Sequence, residues 1–183
     1  MKSLQGQLLV ATPQLLDPNF FRTVVLIVQH DQGSALGLVL NRALDTSVRD
    51  AWQEVSAEAC EADGPLHQGG PCDGPLMVVH TDPACSAMEV AEGIHFTADR
   101  EDVEQLAARN DSPMKFFVGY AGWGPGQLEA EIEEGSWVVI PATPEQVFSE
   151  EEDQWARAYA QVVPSVAFPW LDPDRIPDDP SVN

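Results

Sequence analysis

Basic residues are scarce in this sequence of 183 residues, where nine lysines and arginines stand against 30 aspartates and glutamates and the formal net charge is −21. Affinity for nucleic acid comes largely from lysine and arginine side chains that release counterions from phosphates. A surface this acidic also repels anionic lipid. We therefore expect no direct contact with nucleic acid and no membrane association. A well-solvated surface accounts for the charge, although a basic partner or a saline cytoplasm would also suit it.

Cysteines and long apolar runs are also few. The three cysteines, Cys60, Cys72 and Cys85, are odd in number and no pair has CxxC spacing, which argues against both a disulfide framework and a zinc ribbon. Free thiols fit a reducing compartment. The longest apolar run, residues 24–28, is far shorter than a membrane span of about 20 residues. The first residues lack the apolar segment of a signal peptide. These absences predict a cytoplasmic protein.

The motifs of metal and nucleophilic chemistry are missing as well. The four histidines, His30, His67, His80 and His95, show no HxxxH, HxH or HExxH spacing, so we expect no metal site. We interpret His30 and His80 as strand-end residues that hydrogen-bond to backbone. No serine lies in a GxSxG context, which lowers the odds of a serine hydrolase without excluding one. No cofactor motif is complete, and we expect no cofactor.

The spacing of apolar and turn-forming residues predicts many strands and fewer helices. Strands are predicted at residues 7–11, 23–30, 35–41, 76–81, 114–120 and 136–142, with one or two short strands within 89–97. Helices are predicted after a cap at Thr46 or Ser47 (with Val48, Trp52 and Val55 on one apolar face), at 99–109 and at 127–134. Capping boxes at 143–146 and 149–152 predict one helical turn and then a longer helix that buries Trp155, Tyr159 and Val162 and stops at Pro164.

Together these elements predict an α+β fold: a mostly antiparallel, barrel-like β-sheet with peripheral helices. The length is that of one domain, for which one core suffices. We predict a single α+β domain over residues 1–163. Residues 164–183 are rich in proline and acidic residues, and their aromatic and aliphatic side chains predict a tail that packs partly on the domain.

A glycine-rich stretch, residues 119–126, follows a predicted strand and precedes a predicted helix, as phosphate-binding loops do. The GxGxxG pattern fails because Glu129 takes the place of the third glycine, and Gly-Lys-Ser/Thr is absent. Two interpretations stay open. The stretch is either a tight turn with glycines at positive φ and Tyr120 and Trp123 packed on the sheet, or a surface where these rings stand beside Gln127 and Glu129 to meet a ligand or partner.

Three sequence blocks resemble a known family. They comprise residues 17–27 with 37–42, residues 69–71 with 76–80, and residues 119–129 with Glu131, Gly135 and Trp137. In this order they are similar to the motifs of the YqgE/AlgH family, also called the UPF0301 family, and they cover most of residues 6–142. The resemblance implies a bacterial cytoplasmic protein with an α+β fold built on a barrel-like sheet. It implies no activity, because the family has no established enzymatic function and its regulator label rests on genetic association.

The sequence departs from the family at two places. Ala43 stands where the family usually has proline after Asn-Arg, and residues 179–183 lack the family's usual Gly-His-Ala ending. The shared motifs nevertheless concentrate polar and aromatic residues at loop ends. These candidate binding residues are Asp17, Asn19, Arg22, Asn41, Gly70, Tyr120, Trp123, Gln127 and Glu129. They form either a binding site or a buried polar network that fixes the loops.

The leading hypothesis is a non-enzymatic binding or regulatory module with a polar and aromatic cleft for a small ligand or a protein partner. No catalytic residue is assigned. The alternative is a hydrolase for a small polar substrate, whose acid and base would come from Asp17, His80 or Glu129. For Trp123 we expect a ring that is partly packed and partly turned to the cleft, so that Trp123→Ala costs about 1–2 kcal/mol.

Overall fold

The computed structural model describes residues 3–56, 58–150 and 153–167. The strands in these residues are β1 (Gln7–Ala11), β2 (Val24–His30), β3 (Ala35–Val39), β4 (Ala43–Ser47), β5 (Pro65–Gln68), β6 (Met77–His80), β7 (Met88–Ala91), β8 (Ile94–Thr97), β9 (Met114–Val118), β10 (Ala121–Trp123) and β11 (Trp137–Pro141). The helices are α1 (Val48–Val55), α2 (Arg100–Ala107), α3 (Gln127–Glu133), α4 (Pro144–Val147) and α5 (Gln154–Ala167). A 3-10 turn spans Pro83–Cys85.

The first sheet has five strands in the order β10-β3-β2-β1-β11, and every pair is antiparallel. Its centre is the predicted hairpin of β2 and β3, in which His30 pairs with Ala35 at the turn. Residues 24–28 are buried on both faces of this sheet, which explains why they form a continuous apolar run rather than an alternating one.

The second sheet has six strands in the order β4-β5-β9-β6-β8-β7. It is antiparallel except for β5 and β9, which run parallel. Sequence patterns did not predict β4 and β5. Most of β4 is exposed or half-buried, and β5 begins at Pro65, a position that strands tolerate because proline there need not donate to the ladder.

Three apolar clusters show how the layers are stacked. The largest joins Leu8, Leu26 and Leu38 of the first sheet with Val79 and Phe117 of the second, so the two sheets pack face to face. A second cluster covers the other face of the first sheet beneath α3. A third lies between the second sheet and helices α1 and α2. The main core therefore lies between the sheets.

The α+β class is confirmed, but the strands divide into two sheets, and no closed barrel is found among the described residues. The sheets meet where two chain segments cross closely. A β-carbon on Gly69 would lie 2.3 Å from the carbonyl oxygen of Gly119, and one on Gly70 would lie 2.2 Å from the carbonyl carbon of Tyr120. Only glycine permits this approach. The domain boundary at residue 163 stays a prediction.

The caps follow their sequence signals. The Ser47 hydroxyl accepts from the backbone N–H of Asp50 at α1, and Asp99 caps α2 in the same way. At α4 the capping box of Thr143 and Gln146 is present, with Pro144 at the first helical position, as the sequence predicts. The box predicted at 149–152 lies partly outside the described residues.

Helix α5 corrects one expectation. The helix does not stop at Pro164 but continues to Ala167, because a proline this near the end removes one backbone donor without ending the remaining turn. Val162 is buried as predicted, whereas Trp155 is only half-buried; its indole N–H donates to the Ala11 carbonyl at 2.8 Å. The predicted packing of the tail lies outside the described residues.

Candidate functional site

The nine candidate residues do not gather in one place. His30 and Ala35 mark the turn end of the β2–β3 hairpin, and Val24 marks its open end. Val24 and His30 are six positions apart along an extended strand, a distance of about 20 Å. Trp123 pairs with Ala35 at the turn end, whereas Asn41 contacts Val24 at the open end. Most of the candidate residues therefore lie near one end or the other, whereas Gly70 and Tyr120 lie directly against each other.

At the turn end, Glu129 is held by a histidine. The backbone N–H of Leu4 donates to Nδ1 of His30 at 2.9 Å, so the ring proton is on Nε2, which donates to the Glu129 carboxylate at 2.9 Å. His30 is buried and Glu129 is partly exposed. As predicted, His30 ends a strand and bonds to backbone. The pair joins the N-terminal segment, β2 and α3.

Beside this pair, Glu131 accepts from two tryptophans. One of its carboxylate oxygens accepts the indole N–H of Trp123 at 3.0 Å and of Trp137 at 2.9 Å, and its other oxygen accepts from the Gln127 amide at 3.0 Å. Phe20 stacks on Trp123 with ring centroids 6.0 Å apart. The expectation that Trp123 turns partly to an open cleft is wrong, because the residue is only 4% exposed.

Glu131 is thus the centre of a polar network that the candidate list omitted. Gln127 also accepts the backbone N–H of Gly124 at 3.1 Å, so its amide ties the start of α3 to the end of the glycine-rich stretch. The glycine-rich stretch contains edge strand β10, with Gly119 and Gly126 at positive φ on either side. The tight-turn interpretation holds at both ends of the stretch. An acidic residue eight positions after Trp123 is the signal that could have identified Glu131.

At the open end, Asn41 braces a loop. Its side-chain oxygen accepts from the backbone N–H of Val24 at 3.0 Å, and its amide donates to the Arg22 carbonyl at 2.9 Å. Arg22 has a left-handed φ of 54°, which these bonds hold in place. The guanidinium lies 5.2 Å from the centroids of Phe21 and Trp155. Asp17 is exposed and accepts from its own turn at Asn19 N.

A small cavity of about 260 Å³ lies beside this loop. It is lined by Pro18, Asn19, Val39, Arg42, Gln68, Gly70 and Pro71. It brings together two candidate residues, Asn19 and Gly70. The Gln68 amide donates to the Gly70 carbonyl at 2.6 Å, which closes part of this space. Tyr120 packs partly against the inter-sheet core and bridges to Cys72 rather than to this cavity.

The three residues of the alternative hydrolase stay apart. Asp17 is in the loop before β2, Glu129 is bonded to His30, and His80 ends β6 in the other sheet. His80 is fully buried, and its Nδ1 accepts from Asp82 N at 3.3 Å, as predicted for a strand-end histidine. Burial is the main cause that lowers the pKa of His80. Among the described residues no hydrogen bond joins any two of the three.

The open end holds a larger cleft that the sequence did not predict. The Lys115 cleft has a volume of about 400 Å³ and is lined by Leu40, Asn41, Ala43, Val48, Asp63, Gly64, Pro65, His67, Met114, Lys115, Phe116, Ser149, Glu150 and Gln154. A second cavity of about 460 Å³, between α4 and α5, shares Ser149, Glu150 and Gln154 with it. Of the candidate residues, only Asn41 lines the Lys115 cleft.

Strand alternation aims two ionisable side chains toward this cleft. Lys115 lies on the same face of β9 as Phe117, which is in the inter-sheet core, and His67 packs against Phe117 with centroids 5.4 Å apart. Both are 7% exposed. The Lys115 amine donates to the Ser149 carbonyl at 2.8 Å. A lysine within the apolar strand 114–118 is the signal that could have found the cleft.

Burial governs the charge of both groups. It lowers the pKa of His67 to about 4, assisted by the nearby Lys115 ammonium and opposed more weakly by the backbone of Phe116 and Pro65. It lowers the pKa of Lys115 to about 8, opposed by the Glu150 carboxylate. Nδ1 of His67 has no hydrogen-bond partner among the described residues. At neutral pH the cleft therefore contains a neutral imidazole and a weakly held ammonium proton.

The sequence and the fold are both similar to those of known proteins. The profile of the AlgH-like family matches residues 8–167. The chain belongs to the AlgH-like family. A UPF0301 protein of Chlorobaculum tepidum is 42% identical over 160 residues, which cover 84% of this chain and 83% of that protein. A UPF0301 protein of Streptomyces avermitilis is 38% identical over 195 residues, and the match covers 100% of this chain and 97% of that protein.

Two solved structures share the AlgH-like fold. The solution structure of AlgH from Pseudomonas aeruginosa has a TM-score of 0.73 and 27% identity, and the match covers 87% of this chain and 88% of that one. A crystal structure of a Corynebacterium diphtheriae protein has a TM-score of 0.71 and 28% identity, and the match covers 88% of this chain and 87% of that one. The family resemblance drawn from the three motif blocks is confirmed, and the AlgH-like family is one of uncharacterised function.

Two features are absent from the residues of this AlgH-like chain that the structure describes. No group of three or more histidine, cysteine, aspartate or glutamate side chains there could hold a metal ion. None of the helices described is long and apolar enough to cross a membrane. The polar groups that line the Lys115 cleft include an amine, an imidazole, amides and carboxylates.

Proposed function

We propose that this chain is a binding module for a small polar ligand and that the Lys115 cleft is its site. The observation that carries the proposal is the pair of buried polar side chains, Lys115 and His67, that line one cavity of ligand size. His67 Nδ1 is buried without a partner among the described residues. An unpaired buried polar atom costs about 1–3 kcal/mol, and a ligand group that donates to it would remove that cost.

The lining defines the ligand's chemistry. Lys115 supplies a donor, Asp63 and Glu150 supply acceptors, and neutral His67 offers an acceptor nitrogen when Nε2 carries the proton. The two carboxylates disfavour a polyanion such as a nucleotide. A ligand with several hydroxyl groups meets all of these partners, because each hydroxyl both donates and accepts. The ligand class we propose is therefore small, polar and at most singly charged.

A non-enzymatic role is favoured over hydrolysis. A hydrolase needs a nucleophile or water in hydrogen-bond reach of a base, and Asp17, His80 and Glu129 occupy three separate places. A bound ligand would instead contact Ser149 and Glu150, which precede α5, and Gln154, with which α5 begins. Regulation through a protein partner would follow if the ligand changed this region. The three free thiols suit the reducing cytoplasm in which we propose that the module acts.

The test is a thermal-shift screen of sugars, polyols, aldehydes, 2-oxo acids, amino acids and nucleotides. At 100 times its Kd a ligand adds about 2.7 kcal/mol, which for this size corresponds to a rise in Tm of roughly 5–10 °C. We expect the shift with hydroxylated compounds to disappear in Lys115→Met and in His67→Phe. Asn19→Ala, in the neighbouring small cavity, is the matched control and should retain it.

Three outcomes separate the possibilities. A shift lost in the Lys115 and His67 variants and kept in Asn19→Ala supports the site. A shift lost only in Asn19→Ala assigns binding to the small cavity beside Gly70 and overturns the choice of the Lys115 cleft. No shift with any class of compound at millimolar concentration overturns the proposal of a small-ligand site.

A further inference from the structure

Lysine is unusually rare in this chain, and the placement of Lys115 is unusual for a lysine. The sequence has two lysines, Lys2 and Lys115, and its other basic residues are arginines. Lys115 is buried in the cleft wall, and among the described residues it forms no ion pair with a carboxylate. Arginine could supply charge there, but an arginine stays protonated and cannot act as a nucleophile. A buried lysine amine is the group that can form a covalent bond with a carbonyl compound.

The local geometry keeps this amine available. Nζ donates one hydrogen bond, to the Ser149 carbonyl at 2.8 Å. A neutral amine bonded in this way retains its lone pair for attack. Because burial lowers the pKa of Lys115 to about 8, Nζ is neutral far more often than an exposed lysine. At pH 7 about a tenth of the Lys115 amines are neutral, against roughly one in 3,000 for an ordinary lysine.

We propose that Lys115 captures a small hydroxylated aldehyde in the Lys115 cleft as an imine. This inference rests on the proposed ligand-binding function and names the class of ligand. Nζ attacks the carbonyl carbon, forming a C–N bond while the carbonyl π electrons move to oxygen. After proton transfer from nitrogen to oxygen, the carbinolamine loses water to give the C=N bond. The step consumes one amine and one aldehyde and releases one water, so no oxidant or reductant is needed.

The groups facing Lys115 suit this step. His67 is neutral at pH 7 and lines the same cleft, so its imidazole can accept the proton that leaves nitrogen and return it to the departing hydroxyl. The carboxylates of Asp63 and Glu150 are the acidic groups in the lining, and they favour an uncharged aldehyde over a 2-oxo acid. Hydrolysis of the imine regenerates Lys115, which makes the capture reversible and compatible with a non-enzymatic role.

The experiment uses glycolaldehyde as the probe and sodium cyanoborohydride to trap the imine as a secondary amine. Peptide mass mapping then gives separate labelling rates for Lys115 and Lys2, an internal control in the same chain. We expect Lys115 to label at least about tenfold faster than Lys2 near pH 7, with a rate that levels off above pH 8, whereas an amine with the ordinary lysine pKa keeps accelerating to about pH 10. In urea the two rates should become equal.

Two variants, Lys115→Arg and His67→Gln, test whether the labelling depends on these two side chains. Lys115→Arg, which keeps the charge, should abolish the fast site and leave Lys2 labelling unchanged. His67→Gln should slow Lys115 labelling while circular dichroism confirms the native fold. If Lys115 in the folded protein is labelled no faster than Lys2, the proposal that Lys115 forms an imine is wrong. If hydroxylated compounds still raise Tm in that case, ligand binding stands and only the covalent step falls; if neither occurs, both proposals fall.

Discussion

The two ends of the β2–β3 hairpin are built from similar residue types but differ in how their polar atoms are paired. At the turn end, Glu131 accepts from two indoles and an amide, and both ring nitrogens of His30 have partners. At the open end, within the part of the chain that the structure describes, Nδ1 of His67 has no hydrogen-bond partner and the Lys115 amine donates to a single carbonyl, beside a cavity of about 400 Å³.

This difference shows what a cluster of polar residues can mean. A saturated network gains nothing from a further partner, so its polar residues fix loops and strands in place. An unsaturated, buried pair beside a cavity gains from every group that a ligand supplies. Trp123, Gln127 and Glu129 therefore lie in the structural network, while function is better sought at Lys115 and His67. The four predictions below test this division.

Trp123→Ala should give the largest loss of stability. The ring is buried, stacks on Phe20 and donates to Glu131, so we expect the free energy of unfolding to fall by about 3–5 kcal/mol, measured by urea denaturation. Ligand-induced shifts at the Lys115 cleft should persist in whatever fraction folds. A loss under about 1 kcal/mol would mean that the turn end is an open surface after all.

Lys115→Met should remove a pH-dependent contribution to stability at the open end. In the native state the pKa of Lys115 is lowered to about 8 from 10.5, so between these values the unfolded chain holds a proton that the native one has lost. Native stability then rises with pH across this window, relative to the methionine variant, by about 3 kcal/mol in total. Below pH 8 both states are protonated and the difference should be constant.

The measurement is parallel urea denaturation of both proteins from about pH 7 to pH 11. Subtracting the variant removes the contributions of cysteine and tyrosine, which titrate in the same range. A difference that does not change with pH would show that the Lys115 amine is solvated, and the Lys115 cleft would then lack its defining group.

Asn41→Ala should have an intermediate effect. It leaves the Val24 N–H and the Arg22 carbonyl without their partner, so we expect a loss of about 1–3 kcal/mol in chemical denaturation. Asn19→Ala, on the loop that Asn41 braces, is the control and should stay within about 0.5 kcal/mol, because Asn19 is exposed. Equal losses at both positions would mean that the loop is stabilised as a whole rather than through Asn41.

The comparison also shows what the sequence could and could not predict. Periodicity located β2, β3, α2 and the caps because local propensity and burial agreed there. It missed β5, a four-residue strand beginning with proline, and so it missed His67. The partners of Glu131 lie four, six and eight residues away, but the two bonds from tryptophans depend on how α3 packs against β10 and β11. The Lys115 cleft brings together residues from 40 to 154, a juxtaposition that only the packing of the two sheets creates.

Gln127→Ala should give the smallest effect. Its amide is exposed and makes two hydrogen bonds, to Gly124 N and to Glu131, so we expect a loss of about 0.5–1 kcal/mol. The sharper measurement is a double-mutant cycle with Trp123→Phe, which removes the indole N–H but keeps an aromatic ring. Because both residues donate to the same carboxylate, their losses should differ from additivity by at least about 0.5 kcal/mol. Strict additivity would show that Glu131 does not couple them, and the saturated network at the turn end would reduce to independent contacts.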